Sequence, residues 1–581
     1  MKKVTTNTLV TPHYEEALCD TPWNVYPRPQ LKRDSFICLN GMWDFAMTRE
    51  DGKPRKFDEQ IRVPFPPESK LSGVEKTPEK YDFLHYRRTF VLPEGFIKDR
   101  LLLRFGAIDR LATVSVNGTV IGSHNNGYLP FFADVTDYVK EGENEIWIKV
   151  KDNLSPLFPY GKQKKKRGGM WYTSVSGIWQ TVWLESVPRD YIQNLTVTPT
   201  CKNVRIELCG GGDGKKTLTL KASGEVFEFE GSSVTLTPRE IHLWTPEEPY
   251  LYEFTIETES DRIESYFALR EIGICDTGGT QRLSLNGKPY LFNGLLDQGY
   301  YPDGIFLPPT QKGYEEDILT AKSLGFNMLR KHIKIEPPIF YYLCDKLGMA
   351  VFQDMVNNSK YSFIKDTALP TLGFKRKSDK LSHKNAVSRK AFEDAMVGTV
   401  NALYNYPSVL YYTIFNEGWG QFTADEMYEK AKSLDGTRIF DATSGWFFQE
   451  KSDVDSHHVY FKKIKCTPSE SRPLVISEFG GYSHRVDGHL FGKKNYGYTS
   501  YGSAEELESA ILRLYREEVL PLVKMGASAF VYTQLSDVED ETNGFITYDR
   551  RVVKVSRETF TEMANGLKAA AESFDGNGGK V

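Results

Sequence analysis

Short apolar runs alternate with turn sequences along the first third of the chain. Residues 101–105, 112–116 and 145–150 are rich in aliphatic and β-branched side chains, and Asn117–Gly118 is a dipeptide of the kind that joins antiparallel strands. Strands this short and frequent are typical of a sandwich or a jelly roll. The pattern predicts that the first domain, residues 1–187, is a β jelly-roll sandwich.

The same pattern repeats on a smaller scale in the next stretch of the chain. A segment of strands and turns about 85 residues long fits an immunoglobulin-like sandwich, which typically has about 100 residues. We therefore expect an immunoglobulin-like β-sandwich over residues 188–275. Its candidate strands lie at 191–200, 204–208, 217–222, 226–229, 233–236 and 252–257.

Beyond the second domain the apolar runs alternate with stretches of helical periodicity. Eight strands with intervening helices in about 290 residues are the count and size of a (β/α)8 TIM barrel, which is predicted for residues 276–581. The strands are predicted at 290–296, 326–330, 349–353, 409–415, 438–442, 456–460, 473–477 and 527–533. The helices are predicted at 314–324, 337–347, 390–404, 423–434, 504–525 and 556–571, with Gly325 and Gly348 as C-caps.

Composition places the chain among ordinary globular proteins. Of its 581 residues 40% are hydrophobic and 26% are charged, and no apolar stretch approaches the roughly 18 residues of a membrane helix. The first residues lack the apolar run of a secretory signal. The seven cysteines are odd in number and form no C-x-x-C pair, so neither a disulfide framework nor a metal site is predicted. We expect reduced thiols, a cytoplasmic location and no membrane partner.

The charge balance gives no sign of a polyanionic partner. The net charge is −4 and the pI about 6.3, so no nucleic-acid partner is predicted. One basic run, 162–167 (KQKKKR), stands out. Because glycines flank it, we interpret it as a solvated loop rather than a nucleic-acid or targeting segment.

Two of the apolar runs in the predicted barrel end abruptly in a glutamate. Run 409–415 is followed by Asn416 and Glu417, and run 473–477 is followed by Glu478. Reactive side chains of (β/α)8 barrels lie at the carboxyl ends of the strands. The fourth and seventh strands stand on roughly opposite sides of the barrel mouth, so the two carboxylates are expected to face each other across it.

Two carboxylates across a barrel mouth suit glycoside hydrolysis. A separation of about 5–5.5 Å means a retaining double displacement, whereas about 6.5–9.5 Å means inversion. We favour retention, with Glu478 as nucleophile and Glu417 as acid/base, because the neighbouring Trp419 offers the apolar surroundings that suit a general acid. Asn416 is placed to hydrogen-bond the sugar 2-hydroxyl. The alternative interpretation is that these glutamates form salt bridges at the strand ends.

A series of short motifs runs along the whole chain in a fixed order. They are YPRP (26–29), LNGMWDF (39–45), YRRTF (86–90), VNG (116–118), YTSVSGIWQTVWL (172–184), FNG (292–294), NE (416–417) and SEFG (477–480). In these motifs the chain resembles glycoside hydrolase family 2, the β-galactosidase and β-glucuronidase family, over nearly its whole length. The resemblance implies the three-domain fold described above and an exo-acting glycosidase that needs no cofactor. It also implies Glu417 as acid/base and Glu478 as nucleophile.

The resemblance extends to further pocket residues, position by position. Arg330 matches an arginine that the family keeps on strand two, and His332 stands one residue earlier than the family's R-x-S-H spacing places its histidine. Asp297 and Gln298 stand where many members have Arg/Lys-His, so a sugar-contacting histidine is replaced. For each of these residues the alternative role is barrel packing. The other predicted pocket residues are Trp446, His458, Tyr460, Tyr482 and Gln534.

The segment after strand eight bears on the choice of sugar. Glucuronidases of the family carry an Asn-x-Lys motif there that grips the substrate carboxylate, whereas residues 541–544 (ETNG) contain no lysine. Four acidic residues nearby are expected to repel an anionic sugar: Asp537, Glu539, Asp540 and Glu541. We therefore predict a neutral sugar, with a β-galactoside first. β-Galactofuranoside, α-L-arabinoside, β-mannoside and β-glucoside stay open.

One rival from another functional class is a catalytically silent carbohydrate-binding protein on the same fold. Such a protein would lack one of the two carboxylates, and both are present here. The expected partner is an oligosaccharide or glycoside. The sequence leaves the oligomeric state open, a homo-oligomer included.

Overall fold

The computed structural model describes residues 8–374, 378–497 and 499–575. Three successive parts of the chain form a jelly roll, an immunoglobulin-like sandwich and a nearly closed parallel barrel, as the sequence predicts. The glycine-rich run at 576–580, for which a frayed tail is expected, lies outside these residues. Among the described residues no helix is long and apolar enough to cross a membrane.

The jelly roll consists of two antiparallel sheets that bury their facing sides. Along the strand Glu143–Lys151 every second side chain is buried, which is the period of a strand with one face in the core. The six-stranded sheet contains, in spatial order, Glu59–Val63, Gly41–Thr48, Phe83–Val91, Glu143–Lys151, Leu111–Val116 and Thr119–Asn125. The four-stranded sheet contains Phe36–Cys38, Val182–Val187, Arg100–Phe105 and Phe131–Asp134.

Short pieces complete this domain. Gln163–Lys164 pairs in parallel with Tyr172–Thr173, and Ile108–Asp109 pairs with Gly177–Ile178. Single 3-10 turns lie at Glu15–Leu18 and Thr136–Tyr138. The first of these pairs joins the start of the basic run to the segment that follows it.

The second domain has three strands in one sheet and four in the other. All six strands predicted from the sequence are present, and a seventh, Arg262–Phe267, pairs with Tyr252–Glu257. The seventh strand escaped prediction because its RIESYF sequence is mostly polar. The sheets are Ile192–Pro199, Val204–Gly210 and Ser233–Leu236, and Val226–Phe229, Lys216–Leu220, Tyr252–Glu257 and Arg262–Phe267.

A small sheet joins this sandwich to the barrel. It consists of Ile272–Thr277, Thr280–Leu285 and Lys288–Pro289, and it therefore spans the predicted domain boundary at residue 275. The backbone N–H of Leu283 donates to the Ser528 hydroxyl (3.0 Å) just before the last barrel strand. The sheet thus lies against the amino-terminal end of the barrel, opposite the end where a site is expected.

Eight parallel strands form the barrel, and all eight coincide with the predicted runs. They are β1 (Phe292–Asp297), β2 (Met328–Lys331), β3 (Ala350–Asp354), β4 (Val409–Asn416), β5 (Ile439–Ser444), β6 (Asp455–Val459), β7 (Leu474–Gly480) and β8 (Ala529–Thr533). Their order is β5-β4-β3-β2-β1-β8-β7-β6. A bridge between Gly445 and His457 brings β5 and β6 together and nearly closes the barrel.

Helices cover most of the barrel's outer surface. The predicted glycine caps are confirmed, because Gly348 (φ 74°) and Gly325 (φ 80°) both adopt the left-handed conformation. Within the described residues no helix follows β5 or β6. The helices are α1 (Gln311–Ser323), α2 (Pro338–Leu347), α3 (Leu369–Thr371), α4 (Ala386–Leu403), α5 (Ala424–Leu434), α6 (Ala504–Leu514), α7 (Leu520–Lys524) and α8 (Arg557–Glu572), with π turns at Phe363–Ala368 and Tyr515–Val519.

A buried ionic cluster joins the first two domains. Arg33 donates to both carboxylate oxygens of Asp261 (3.1 and 2.6 Å) in the second domain and to Glu185 (3.3 Å) in the jelly roll. Its side chain is only 2% exposed. A buried charge that loses its partner is costly, so Arg33 fixes how the two sandwiches meet.

We expect Arg33→Met to lower the free energy of unfolding by about 3 kcal/mol or more, because it leaves the buried Asp261 carboxylate without its cation. Arg49→Met is the matched control, since Arg49 and Glu79 form an exposed pair whose loss costs less than about 1 kcal/mol. Urea unfolding followed by tryptophan fluorescence measures both. Equal shifts in the two variants would contradict a special role for Arg33.

Candidate active site

The two predicted catalytic glutamates lie together at the carboxyl end of the barrel. Glu417 directly follows β4 and Glu478 lies within β7. One oxygen of each carboxylate and a ring nitrogen of His458 all lie within 4.8 Å of one another. This short distance favours the retaining mechanism, whose carboxyl groups are about 5–5.5 Å apart, over the inverting one, whose groups are about 6.5–9.5 Å apart.

The backbone around Glu417 is turned sharply as it leaves β4. Glu417 has a positive φ of 53°, its N–H donates to the Ser444 carbonyl (3.0 Å), and its own carbonyl accepts from Trp446 Nε1 (2.9 Å). Gly418 follows, where a Cβ would stand 2.1 Å from the Phe447 ring. Left-handed backbone of this kind at a non-glycine residue is concentrated at functional sites, where the surroundings hold it in place.

Glu478 is held by an irregularity in the sheet. It pairs with His458 on β6, and the register shifts on both sides of β7 near this point. Such bulges re-aim a side chain out of the regular alternation. The carboxylate accepts hydrogen bonds from Arg330 Nη1 at Oε1 (3.1 Å) and from the Tyr460 hydroxyl at Oε2 (2.6 Å).

These surroundings keep Glu478 ionised. Burial alone would raise its pKa, but the electrostatic influence of His458, Arg330 and His332, together with the hydrogen bond from Tyr460, lowers the pKa to about 2. A nucleophile must carry its negative charge when substrate arrives. The side chain of Glu417 is more exposed than that of Glu478, 14% against 7%. Glu478 is therefore the better nucleophile, and Glu417 lies where a leaving group can depart to solvent.

His458 lies between the two glutamates. Its Nδ1 is 2.9 Å from Glu417 Oε1, while its Nε2 is 3.6 Å from Glu478 Oε1 and 3.3 Å from Arg330 Nη1. The ring is fully buried. Its position fixes the Glu417 carboxyl relative to Glu478, and its contact with substrate stays a prediction.

Arg330 connects its own strand, β2, with the ends of β3, β4, β5 and β7 and with His458 on β6. Its guanidinium is 1% exposed and all its nitrogens are engaged. The acceptors are Asp354 Oδ1 (3.0 Å), the Ser477 carbonyl (2.8 Å), Glu478 Oε1 (3.1 Å), Asn416 Oδ1 (2.9 Å) and Ser444 Oγ (3.1 Å). Because Asn416 uses its Oδ1 here, the donor side of its amide can serve a sugar hydroxyl.

His332 belongs to the same network. Its Nδ1 lies 2.7 Å from Asp354 Oδ2 and 4.0 Å from Glu478 Oε1. Burial lowers its pKa below the ordinary value, although Asp354 acts in the opposite direction. Although His332 stands one residue earlier than the family spacing expects, it still lies beside Glu478.

Three predicted pocket residues have structural partners of their own. The Trp446 indole N–H donates to the carbonyls of Glu417 and Asp366, and its ring meets His458 edge-on at 5.8 Å. Asp297 accepts from Lys331 (2.5 Å) and from the Gly299 N–H (2.8 Å) in a buried ion pair. The Tyr482 ring packs against Tyr501 at 5.5 Å. Their contacts with substrate stay predictions.

Gln298 and Gln534 form a second polar cluster at the ends of β1 and β8. The Gln298 amide donates to Gln534 Oε1 (3.0 Å), and the Gln534 amide donates to Glu541 Oε2 (2.9 Å) and Asn543 Oδ1 (3.0 Å). All four side chains are at least 95% buried. In the sequence Glu541 is only one of four neighbouring acidic residues, whereas the structure places it in contact with Gln534, a predicted pocket residue.

The basic run comes from the jelly roll to the barrel mouth. Lys164, Lys165 and Lys166 are exposed, as expected for a solvated loop. The residues that follow these lysines contact the barrel. Arg167 lies 3.5 Å from Glu539 and 3.4 Å from Asp540, and further along the chain the Thr173 N–H donates to Glu539 (2.8 Å). The prediction of a solvated loop therefore holds for the middle of the run and fails at Arg167, because the buried acids of the barrel need a cation.

Three sequence signatures of one family match the chain in order. The sugar binding domain of glycosyl hydrolases family 2 matches residues 36–188, the domain described simply as glycosyl hydrolases family 2 matches 190–270, and the family's TIM barrel domain matches 279–494. The chain belongs to glycoside hydrolase family 2.

Curated relatives of this family 2 chain carry more than one activity in their names. Human β-glucuronidase is 26% identical over 71% of this chain and 69% of its own length. A putative β-glucuronidase of Formosa agariphila is 24% identical over 66% of this chain and 48% of its own. A β-galactosidase of Vibrio vulnificus is 22% identical over 78% and 48%. The chain spans half or less of the length of several of these relatives.

Solved structures share the fold of this family 2 chain. A β-D-glucuronidase of Dictyoglomus thermophilum superposes with a TM-score of 0.73 at 18% identity and covers 93% of this chain and 98% of its own. A β-galacturonidase of Eisenbergiella tayi bound to galacturonate gives 0.67 at 21% identity, with 93% and 99% covered. At this identity the likeness shows the fold alone.

Several family 2 site residues escaped sequence reasoning. Asp354 and Ser444 end β3 and β5, so the rule that singled out Glu417 and Glu478 applies to them equally. Tyr172 and Lys162, which both act on the Glu541 carboxyl, could not be found by this rule, because they lie in the jelly roll and follow no barrel strand. Their proximity to the barrel mouth depends on how the domains pack.

We expect Tyr460→Phe to raise the pKa of Glu478 by about one unit or more, since a hydrogen bond to a charged group contributes about 1.5–3 kcal/mol. The nucleophile is then partly protonated near pH 4, and kcat/KM falls there more steeply than in the wild type. At the pH optimum kcat falls about tenfold. An aryl glycoside assayed from pH 3.5 to 7 measures both effects.

Tyr515→Phe is the control for this experiment, since Tyr515 is a buried barrel tyrosine whose hydroxyl donates to Asn293 (3.3 Å). Its pH profile is expected to match the wild type. A Tyr460→Phe profile that also matched would show that the hydroxyl does not stabilise the charged nucleophile.

Proposed function

We propose that the protein is a retaining exo-β-glycoside hydrolase that acts through a covalent glycosyl-enzyme. The observation that carries the proposal is the short distance between the Glu417 and Glu478 carboxylates, within 4.8 Å, with Glu478 held ionised. Membership of glycoside hydrolase family 2 supports it. The presence of both carboxylates argues against a silent binding protein.

In the proposed mechanism each step belongs to a named residue. Glu478 attacks the anomeric carbon while Glu417 gives its proton to the leaving oxygen, and a glycosyl ester with Glu478 forms. Glu417 then takes a proton from water, which attacks the same carbon and releases Glu478. Asn416, fixed by Arg330 and Ser444, donates to the sugar 2-hydroxyl as the oxocarbenium character grows.

The proposed substrate is a neutral sugar, with a β-galactoside first. Of the four acidic residues expected to repel an anionic sugar, three have a cation nearby. Asp537 is paired with Lys554 (2.6 Å), and Arg167 neutralises part of the charge on Glu539 and Asp540. The exclusion of an anionic sugar therefore rests on Glu541. The other neutral glycosides named above stay open, and a glucuronide or galacturonide is the rival that the names of the relatives raise.

The loop at 160–173 supports an exo mode of action. It lies against the segment after β8, with Tyr172 beside Glu541 and Thr173 bonded to Glu539. A loop that lies against the end of the barrel in this way would limit how much of a longer sugar chain the site admits, as an exo mode of action requires.

The seven cysteines are all free thiols, which supports the proposal of a reducing, cytoplasmic location.

We expect Glu478→Ala to abolish turnover of an activated aryl β-glycoside, with azide restoring reaction and giving the α-glycosyl azide. Azide then replaces the nucleophile in a single displacement, which inverts the anomeric centre. Glu417→Ala is expected to give the β-glycosyl azide, because azide attacks the glycosyl-enzyme in a second displacement. Proton NMR of the azide products distinguishes the two anomers.

If Glu478→Ala gave the β-glycosyl azide and Glu417→Ala the α-glycosyl azide, Glu417 would be the nucleophile and Glu478 the acid/base. Near wild-type turnover by Glu478→Ala would refute the nucleophile altogether. The wild-type reaction must also release the β-anomer of the sugar first; an α-anomer as first product would mean inversion.

We expect the 4-nitrophenyl β-galactoside to be hydrolysed with a kcat/KM at least about tenfold above that of the β-glucuronide and the β-galacturonide at pH 8, a difference of about 1.4 kcal/mol. The physical reason is the unpaired negative charge at Glu541. A panel that includes furanosides, mannoside, glucoside and α-L-arabinoside ranks the neutral sugars. Preference for either uronide would overturn the substrate proposal and leave the retaining mechanism intact.

A further inference from the structure

A cavity of about 440 Å³ lies where the three domains meet. Its walls come from the jelly roll, from the start of the second sandwich, and from the outer side of the barrel, where α2 begins and α4 ends. The volume lies within the range of small-molecule pockets, about 300–1,000 Å³. Glu417 and Glu478 are not among the described residues that line it, so the cavity is separate from the candidate active site.

Aromatic side chains contribute much of the cavity wall. Rings of this kind offer large apolar surfaces, and they contact another ring edge-to-face or in an offset stack. A flat aromatic body therefore suits this space better than a flexible polar one. Six of the rings that line the cavity are those of Trp23, Tyr26, Phe131, Phe132, Tyr191 and Tyr406.

The charges at one side of this cavity do not balance. The buried Glu185 carboxylate is shared by Arg28 (3.7 Å), Arg33 (3.3 Å) and Arg104, and Arg33 also pairs with Asp261 (2.6 Å). Burial would raise the pKa of Glu185, but the three arginines hold it below its ordinary value, so the group is ionised. Within the described part of the chain no third carboxylate lies within 4.0 Å of these arginines. The cluster thus has three cations and two anions, and one buried positive charge is left without a partner.

Arg104 is the cation that is left over. Its side chain is only 8% exposed, and its Nε contacts Glu185, whereas Nη1 and Nη2 donate no hydrogen bond to any residue that the structure describes. Of the three nitrogens only Nε is closed to solvent, so the other two are open to the cavity that Arg104 lines. Burial and the charge of Arg28 lower the pKa of Arg104 to about 10, and the group is still charged at neutral pH. Buried donors are almost always paired, so these N–H groups suit an anion.

Tyr406 offers a second donor from the barrel side. It follows α4, is 6% exposed and lies near Arg28, and its hydroxyl donates to no described residue. Burial raises the pKa of Tyr406 above its ordinary value, so the phenol keeps its proton. The planar fork of an arginine binds a carboxylate through two parallel N–H bonds. A carboxylate carries the single negative charge that the cluster needs, whereas a phosphate carries more.

We propose that this junction cavity binds an aromatic carboxylate, whose anionic group is held by Arg104 with Arg28 and Tyr406 and whose ring packs among the aromatic side chains. The site goes beyond the proposed glycosidase function and does not rest on it. Because the ligand contacts all three domains, its binding stabilises their packing and raises the melting temperature of the protein.

The test uses two probes, 2-naphthoate and 2-naphthamide, which have nearly the same shape but differ in charge. Calorimetric titration of the wild type at pH 7.5 measures both. We expect one molecule of 2-naphthoate to bind per chain with a Kd of about 1 mM or below. 2-Naphthamide is expected to bind at least about tenfold more weakly, because it cannot neutralise the charge of Arg104.

Arg104→Met removes the charge and keeps an apolar side chain in its place. It is expected to weaken 2-naphthoate binding at least about tenfold and to leave 2-naphthamide binding unchanged. Arg100→Met is the matched control: the same change on the same strand, at a side chain that is 47% exposed, lies 3.6 Å from Asp134 and does not line the cavity. It should bind 2-naphthoate as the wild type does.

Ala402→Trp tests the cavity without altering any charge, and it decides the matter even if Arg104→Met does not fold. Ala402 is an exposed residue of α4 that lines the cavity, so an indole at this position takes up the space of the ligand ring. Both probes are expected to bind at least about tenfold more weakly to this variant than to the wild type.

Three results would overturn the proposal: no binding of 2-naphthoate to the wild type, equal binding of the two probes, or wild-type affinity for 2-naphthoate in Arg104→Met or Ala402→Trp. The last result also covers binding in the catalytic pocket, which neither substitution touches. None of these measurements needs turnover, so their outcome is independent of whether the protein hydrolyses a glycoside.

Discussion

The buried guanidinium of Arg330 is the interaction on which the site depends. A fully buried charge is tolerated only when its hydrogen-bonding groups are all paired. Arg330 meets this condition by bonding groups on β3, β4, β5 and β7 from its own position on β2. Because six strand ends converge on one planar group, β6 through His458, a shift in the register of any of them would leave part of the buried guanidinium unpaired. The barrel mouth is therefore fixed before substrate arrives.

The same contact makes the two glutamates unequal. Arg330 bonds Glu478 directly but reaches Glu417 only through the intervening His458 ring. Glu478 consequently has a permanent cation and the Tyr460 hydroxyl, whereas Glu417 has a histidine and partial access to solvent. Position alone thus gives two identical side chains the different surroundings that the proposed tasks of nucleophile and acid/base require. Environments that differ in this way are the general means of dividing such roles.

The barrel and its reactive residues could be predicted because the signals are local. Each strand is a continuous apolar run, and a carboxylate directly after such a run is visible in the sequence. The seventh strand of the second domain, Arg262–Phe267, carries no such run and was missed. Asp297 and Gln298 are adjacent in sequence, yet one pairs with Lys331 and the other faces Gln534. Which neighbour a strand-end side chain meets depends on its orientation, which local sequence does not encode.

The division between chemistry and specificity follows from where the residues come from. The reactive groups lie on strand ends, whose spacing the barrel dictates, so the reaction can be inferred from pattern. The groups around Glu541 come from the segment after β8 and from a jelly-roll loop that reaches it only when the domains are packed. Loops can change without disturbing a scaffold. The proposed choice of sugar therefore depends on contacts between domains, which a local sequence pattern does not reveal.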